Sequence, residues 1–438
     1  MLDRVPNLVT TRAASVRRCV PMRVATAAAV LSSILLANPS SAQVVGGAVV
    51  TPPNYATLLP PAAGQAYTDP VFGTSILRVS DARATEDIDG GPLEFIVHEY
   101  STVSPFNRGA SRLLLQHQSV FALYDRAGRL LQVLPHEVHA SSEPRWSIHD
   151  HNLFFFHDAN ELRRFDVATG ASTLVRRFDE YAHIGGRGES DLSFDGDHLA
   201  LVGDDREIFL YRIGTDTSGG ALDTGALGGF DQVIVTPDNQ MLVGWHAIGP
   251  ERFNGLELYD ANMGFVKQVS QAGGHMDVGR DADGAQIVVR ANAADPNPIC
   301  DNGIVKVRLG DGGQTCLLSL DWSLATHVSA PHEGPWIFVS TFAPADPSAD
   351  DEGWTAYTNE ILQVRLDGTA VRRLAHHRSR PWNDYNYAPR VAASRDGARI
   401  VYSSNFSLQS LLGFGPEYSD VFLIGAGEPA RHPHRPTG

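Results

Sequence analysis

Apolar positions along the chain do not recur at helical spacing over any long stretch. They come instead in runs of about four, such as LFFF, LALV, QIVV, WIFV and RIVY, set between turns rich in Asp and Gly. One unit repeats: a short strand, a turn with Asp-Gly or similar, a continuously apolar strand, then an alternating strand ending in Asp or Gly. Copies begin at Pro144 (PRWSIHDHNLFFF), Ser190 (SDLSFDGDHLALVG), Gln232 (QVIVTPDNQMLVGW), Met276 (MDVGRDADGAQIVVRA), His327 (HVSAPHEGPWIFVST) and Pro389 (PRVAASRDGARIVYSSN). The stretch from Phe95 to Asp125, FIVHEYSTVSPFNRGASRLLLQHQSVFALYD, supplies another, giving seven copies of about 45 residues.

Asp-Gly tolerates the positive φ angles of a tight hairpin, so it joins the first two strands of each copy. The second strand, apolar throughout, is suited to burial on both faces. Four strands per copy and seven copies predict an all-β, seven-bladed β-propeller over residues 74–427. The last copy lacks a clear fourth strand. SILRVS, Ser75–Ser80, precedes the first copy and is expected to supply it, closing the ring with N-terminal chain. Residues 43–73, rich in Pro, Gly and Ala, read as an irregular leader packed loosely on the domain, and 428–438 as a disordered tail. An irregular β-solenoid or sandwich is the structural alternative, which the repeat length disfavours.

Composition narrows the function. Hydrophobic residues make up 43% of the 438, enough for a substantial core, and the net charge is −15. The first 42 residues hold five arginines, no lysine and one acid, so the remainder carries 30 basic against 49 acidic residues, about −19. That argues against a nucleic-acid partner, while a local arginine can still hold an anionic ligand. Arg17, Arg18 and Arg23, an apolar run from Val24 to Leu36 and the small residues Ser40-Ser41-Ala42 read as a signal peptide over 1–42, with Met22 an alternative start. The run is too short for stable membrane insertion, and the expected location is periplasmic or secreted. Cys300 and Cys316 then remain as an even pair in an oxidising compartment, which favours a disulfide over two buried thiols.

First strands of propeller blades line a central channel, so their leading ends converge. There the sequence offers His98, the 136–139 segment, Arg187 with Glu189, Asp231, His275 with Asp277, His327, and Asn386 with Tyr387. His98 and His117 fall at the ends of neighbouring strands, where two imidazoles can act as base and acid near neutral pH. Tyr100 and Gln116 lie in the same region. Arg187 sits in the Gly-rich segment HIGGRGESDLS and can reach a carboxylate with a two-pronged bond. Arg378 and the aromatic loop with Asn383 and Tyr387 suit a sugar ring. Each residue has a plainer structural reading: a satisfied strand polar group, an inter-blade salt bridge, blade packing. No P-loop, HExxH or GxSxG element is present.

The segments HEYSTVSPFN (98–107), EPRWSIHDHNLFFF (143–156), GRGESDLSFDG (186–196), GHMDVGRDADG (274–284), THVSAPHEGPWIFVST (326–341) and LAHHRSRPW…YAPRVAASRDGARIVYSSNF (374–406) resemble the seven-bladed polysaccharide lyases, namely the ulvan lyases and more distantly the oligogalacturonate lyases. The resemblance covers most of residues 75–425 and implies β-elimination next to a uronic acid. On it, His98 and His117 match a histidine pair for proton transfer, Arg187 neutralises the uronate carboxylate, and Tyr181 lies nearest to the family's tyrosine but out of its spacing. Tyr100, Gln116, His275, His327, Arg378, Asn383 and Tyr387 are the expected substrate contacts. Oligogalacturonate lyases hold manganese with histidines and a glutamine; the corresponding last-blade positions read Asn383, Asn386 and Ala388, leaving His275 and His327 as the weak remnant of a metal site. No cofactor is required by this reading, and a divalent cation (calcium, manganese or zinc) stays open. The expected partner is an anionic polysaccharide or oligosaccharide. The rival expectation is a non-catalytic periplasmic propeller serving as a binding or scaffold module.

Overall fold

A computed structural model describes residues 46–347, 353–380 and 385–426. The expected signal segment, the C-terminal tail and Asn383 lie outside these residues. The described chain forms seven antiparallel sheets, taken below as blades 1 to 7 of a β-propeller. First strands of successive blades pack against one another around the ring, as with Phe230–Val235 of blade 4 and Met276–Arg280 of blade 5. Regular helix is confined to Leu408–Leu412 and two single turns.

Blade 5 illustrates how the sequence makes a blade. Met276–Arg280 pairs with Gln286–Ala291 across a hairpin closed by Asp281, Ala285 and Gly284, whose φ of 86° is the left-handed conformation the turn demands. Gln286–Ala291 is buried along its middle, as expected of a strand covered on both faces. Ile304–Arg308 and Gln314–Leu318 complete the sheet. Cores lie between blades rather than within one centre. Ala200, Val202 and Ile208 of blade 3, for example, pack with Val233, Met241 and Val243 of blade 4.

The ring closes as the pattern predicts. Ser75–Arg78 pairs with Asp420–Gly425, so blade 7 runs Ala66–Thr68, Ser75–Arg78, Asp420–Gly425, Arg399–Ser404, Ala392–Ala393 from rim to centre. Asp420 fastens the seam: it accepts from Arg78 Nη2 (2.7 Å), Ser80 Oγ (3.0 Å) and the Ala82 N–H (2.9 Å), all buried.

Two expectations are corrected here. Residues 46–73 are largely exposed but not loose: a few buried anchors, Tyr55, Asp69 and Phe72 among them, fasten the segment to the domain. Asp69 accepts from the Phe72 and His376 N–H groups (2.9 Å each), Phe72 stacks on His376, and Tyr67 lies in the rim strand Ala66–Thr68. Blade 1 has three strands, Arg112–Gln116, Phe121–Asp125 and Leu130–Val133. Its inner edge consists of single bridges at Val97–Gln116 and Phe106–Leu113. The chain between them leaves the sheet, where Thr102 Oγ1 donates to Glu189 O and Ser104 Oγ to Ala393 O.

Candidate active site

The departure of residues 98–104 from blade 1 brings Tyr100 against side chains from blades 6 and 7. Tyr100 is nearly buried and meets the ring of His327 edge-on at 5.7 Å. Tyr385, from the turn Tyr385–Tyr387 that leads into the last blade, acts electrostatically on the Tyr100 hydroxyl. The Tyr385 hydroxyl lies 3.3 Å from His327 Nε2 while its ring is 53% exposed. His327, fully buried in Ala325–Ser329, stacks on His275 at 4.2 Å with ring planes 13° apart. Burial, then the neighbouring His275, Arg390 and His98, hold His327 neutral, far below the usual imidazole range. Burial pushes both tyrosines up, so each keeps its proton at neutral pH.

His275 differs from the other channel histidines. Its Nδ1 lies 2.5 Å from Thr326 O, and because a carbonyl can only accept, Nδ1 carries the proton. The lone pair is therefore on Nε2, which has no partner among the described residues, and the ring is partly exposed. A backbone carbonyl fixing one nitrogen so that the other is basic is the usual way a histidine is prepared for proton abstraction.

One arginine touches the cluster, and a second lies in the blade 3 loop. Arg390 is buried, with its guanidinium 4.8 Å over the Tyr385 ring and Nη1 bonded to Glu99 O. Arg187 is exposed, 4.4 Å over the face of Phe230, with no carboxylate partner among the described residues. Two residues on, burial and the charges of Asp231 and Glu143 push the Glu189 carboxyl up to about 8. Glu189 also acts electrostatically on Tyr100 and Tyr385, which ties the blade 3 loop to the tyrosine pair.

The other sequence candidates are placed differently. His98 is buried: Nε2–H donates to Arg390 O and Nδ1 accepts from Ser403 Oγ (3.2 Å), so both nitrogens are occupied. His117 is buried too, with Nε2 3.0 Å from the Tyr124 hydroxyl. Neither ring is a partner of the other, so the expected shared pocket for the pair does not form. The reason is that each imidazole turns into protein, toward blade 7 and toward Tyr124 respectively. Burial pushes them down to about 3 and about 4. Tyr181 donates to Glu207 (2.9 Å) and stacks on Phe209, away from the tyrosine pair's partners. Gln116 exchanges both backbone bonds with Val97. Arg378 is buried, donating to Asn54 and Pro53 carbonyls of the leader, and so is no rim cation. The Tyr387 carbonyl accepts from Ser379 Oγ. Cys300 and Cys316 are bridged. From the sequence Arg390 reads as one of several rim arginines able to meet a carboxylate and Tyr385 as one member of the aromatic loop, neither with a role of its own. Their only local signal is the aromatic loop just ahead of the last blade.

No family model matches the chain, and no curated protein does. Solved structures do. An oligogalacturonate lyase in complex with manganese aligns with a TM-score of 0.58 at 14% identity, over 83% of this chain and 96% of that one. An oligogalacturonate lyase from Vibrio parahaemolyticus aligns with a TM-score of 0.57 at 12% identity, with the same coverage of each chain. The donors of this chain do not make a metal site among the described residues. His275 and His327 present ring faces to each other, His275 Nδ1 is bonded to Thr326, and no three His, Cys, Asp or Glu side chains among the described residues are arranged to hold an ion. No described helix is long and apolar enough to cross a membrane. At these identities the likeness speaks for architecture, and the chain is a seven-bladed β-propeller of the fold seen in two oligogalacturonate lyases.

Proposed function

We propose that the protein is an exported lyase that cleaves a uronic-acid-containing glycan by β-elimination at the channel mouth. The observation that carries this reading is His275, whose ring has an open Nε2 lone pair and stacks on His327, the ring that the protonated Tyr100 and Tyr385 also meet. Elimination needs a base for the proton α to the carboxylate, an acid for the departing oxygen and a cation on the carboxylate that acidifies the proton. His275 Nε2 takes the C5 proton. The C5–H electrons form the C4–C5 double bond as the C4–O bond breaks. Tyr385 donates its proton to the departing oxygen, with Tyr100 and Arg390 stabilising the phenolate that remains. Arg187 receives the uronate carboxylate. His98 serves the site indirectly by holding the Arg390 carbonyl.

Oligogalacturonate is the first substrate to test, because the structural neighbours are lyases of that name. Ulvan and glucuronan follow, from the sequence resemblance. Purified protein is incubated with each, with and without manganese or calcium, and the ultraviolet absorbance of unsaturated uronate is followed. Rising absorbance that His275→Ala abolishes is expected. A flat trace on every substrate under every condition would remove the lyase reading and leave a non-catalytic binding propeller. The bridged Cys300–Cys316 pair supports export, which N-terminal sequencing of the mature protein checks.

A further inference from the structure

The loop carrying Arg187 is fixed by one side chain from another blade. Glu143 Oε2 accepts from the Gly186 N–H and Oε1 from the Gly188 N–H, each at 2.7 Å, so the two bonds straddle Arg187. Arg187 itself has φ 60°, the left-handed region that a side-chain-bearing residue enters only when its surroundings impose it. Glycine is needed beside it: a Cβ on Gly186 would lie 2.8 Å from Glu143 Oε2 and 3.2 Å from Ala200 O. Glu143 is anchored in turn. Arg145 Nη2 lies 3.5 Å from it and is held by Glu99 through bonds of 2.6 and 2.9 Å. Burial alone would raise the Glu143 carboxyl, but neighbouring His157, Arg145 and the Gly186 N–H outweigh it and hold it at about 2. The clamp is thus ionised at any working pH. Its product is a guanidinium preset over Phe230 and open to solvent.

We propose that Glu143 is the positioning residue of the site: by clamping Gly186 and Gly188 it presets Arg187 to receive one substrate carboxylate, and it acts on substrate capture through Arg187 alone. This rests on the role given to Arg187 above. A clamp that fixes a binding group before substrate arrives lowers the cost of binding without touching the reacting atoms.

The test is a double-mutant cycle of wild type, Glu143→Ala, Arg187→Ala and the double variant, with Glu143→Gln as a milder change that keeps one acceptor. Three readouts are taken on each: kcat and KM on oligogalacturonate, hydrogen exchange of peptides spanning 183–190, and Tm. Glu143→Ala is expected to lower kcat/KM about tenfold, the size of one lost charge-assisted contact, with KM raised and kcat lowered together because Arg187 both binds the carboxylate and acidifies the C5 proton. Exchange at the loop should quicken, and the double variant should be no worse than Arg187→Ala. Glu143→Gln should fall between. Additive losses in the double variant, or unchanged loop exchange in Glu143→Ala, overturn the proposal. If no variant releases unsaturated uronate, the same cycle is read as equilibrium binding of saturated galacturonate oligomers. There, matched losses in the two single variants sustain the clamp while the lyase reading falls. A wild-type protein that binds no oligomer overturns both.

Discussion

A histidine's chemistry is set by what its two nitrogens touch, and three histidines here show the range. His98 spends both nitrogens inside the protein, His117 spends Nε2 on Tyr124, and His275 keeps Nε2 open. His275→Ala should therefore leave Tm near wild type and lower kcat by about 10²- to 10⁴-fold, the usual loss of a general base. His98→Ala should do the opposite at first order, costing about 2–4 kcal/mol of stability through a cavity and two lost bonds; chemical denaturation checks it. The buried imidazoles also predict a pH dependence. Burial pushes His98, His117, His332 and His377 down to about 3, 4, 3 and 3. Between those values and the ordinary 6.5 the unfolded chain binds protons that the folded chain refuses. The stabilisation is complete above about pH 6.5 and drains away as pH falls, by up to ~1.4 kcal/mol per pH unit for each group. Tm measured from pH 7 to pH 4 should fall steadily, and less steeply in His98→Gln. The sequence could not tell these histidines apart, because tautomer and burial are properties of partners far along the chain.

Single elements carry the next level. The Cys300–Cys316 bridge ties the loop before Ile304–Arg308 to the strand Gln314–Leu318. Two residues past Cys300, Asn302 Nδ2 bonds the carbonyls of Asp321 and Leu324, in the loop that feeds the His327 strand. The bridge closes a loop of 16 residues, for which chain entropy gives about 3 kcal/mol. Cys300→Ser/Cys316→Ser should lower stability by that order, and reducing agent should do the same to wild type but not to the variant. Blade 1 shows how an element can fail usefully. Its missing inner strand is what frees residues 98–104 to carry Tyr100 to His327. Nothing in HEYSTVSPFN announces this, since the segment reads as ordinary strand.

At the scale of the whole molecule, stability depends on closing a ring from chain ends more than 300 residues apart. Asp420 joins Arg78, Ser80 and the Ala82 N–H in a buried seam. Asp420→Asn leaves the buried Arg78 with the part-exposed Asp81, 3.2 Å away, as its remaining carboxylate, so it should cost about 3 kcal/mol, the low end for a broken buried pair. The denaturation midpoint measures it, and Asp420→Asn/Arg78→Met should recover part of the loss. The leader fastens onto blade 6 through Asp69 and Phe72 at His376, and its removal should act in the same direction.

The sequence by itself determined the architecture: seven repeats, their hairpin turns, the apolar second strands and the N-terminal strand that closes blade 7. Each depends on local pattern, and a repeated local pattern is legible because every blade solves the same packing problem with the same residue types. The tertiary structure alone decided the site. Tyr100, His275, His327, Tyr385 and Arg390 come from four blades, and what each can do depends on which nitrogen a distant carbonyl occupies, which ring covers which, and which charge is left without a partner. The blade period is enough to bring His275 and His327 to the channel mouth, but these relations across the channel, which set what each group can do, leave no trace in it.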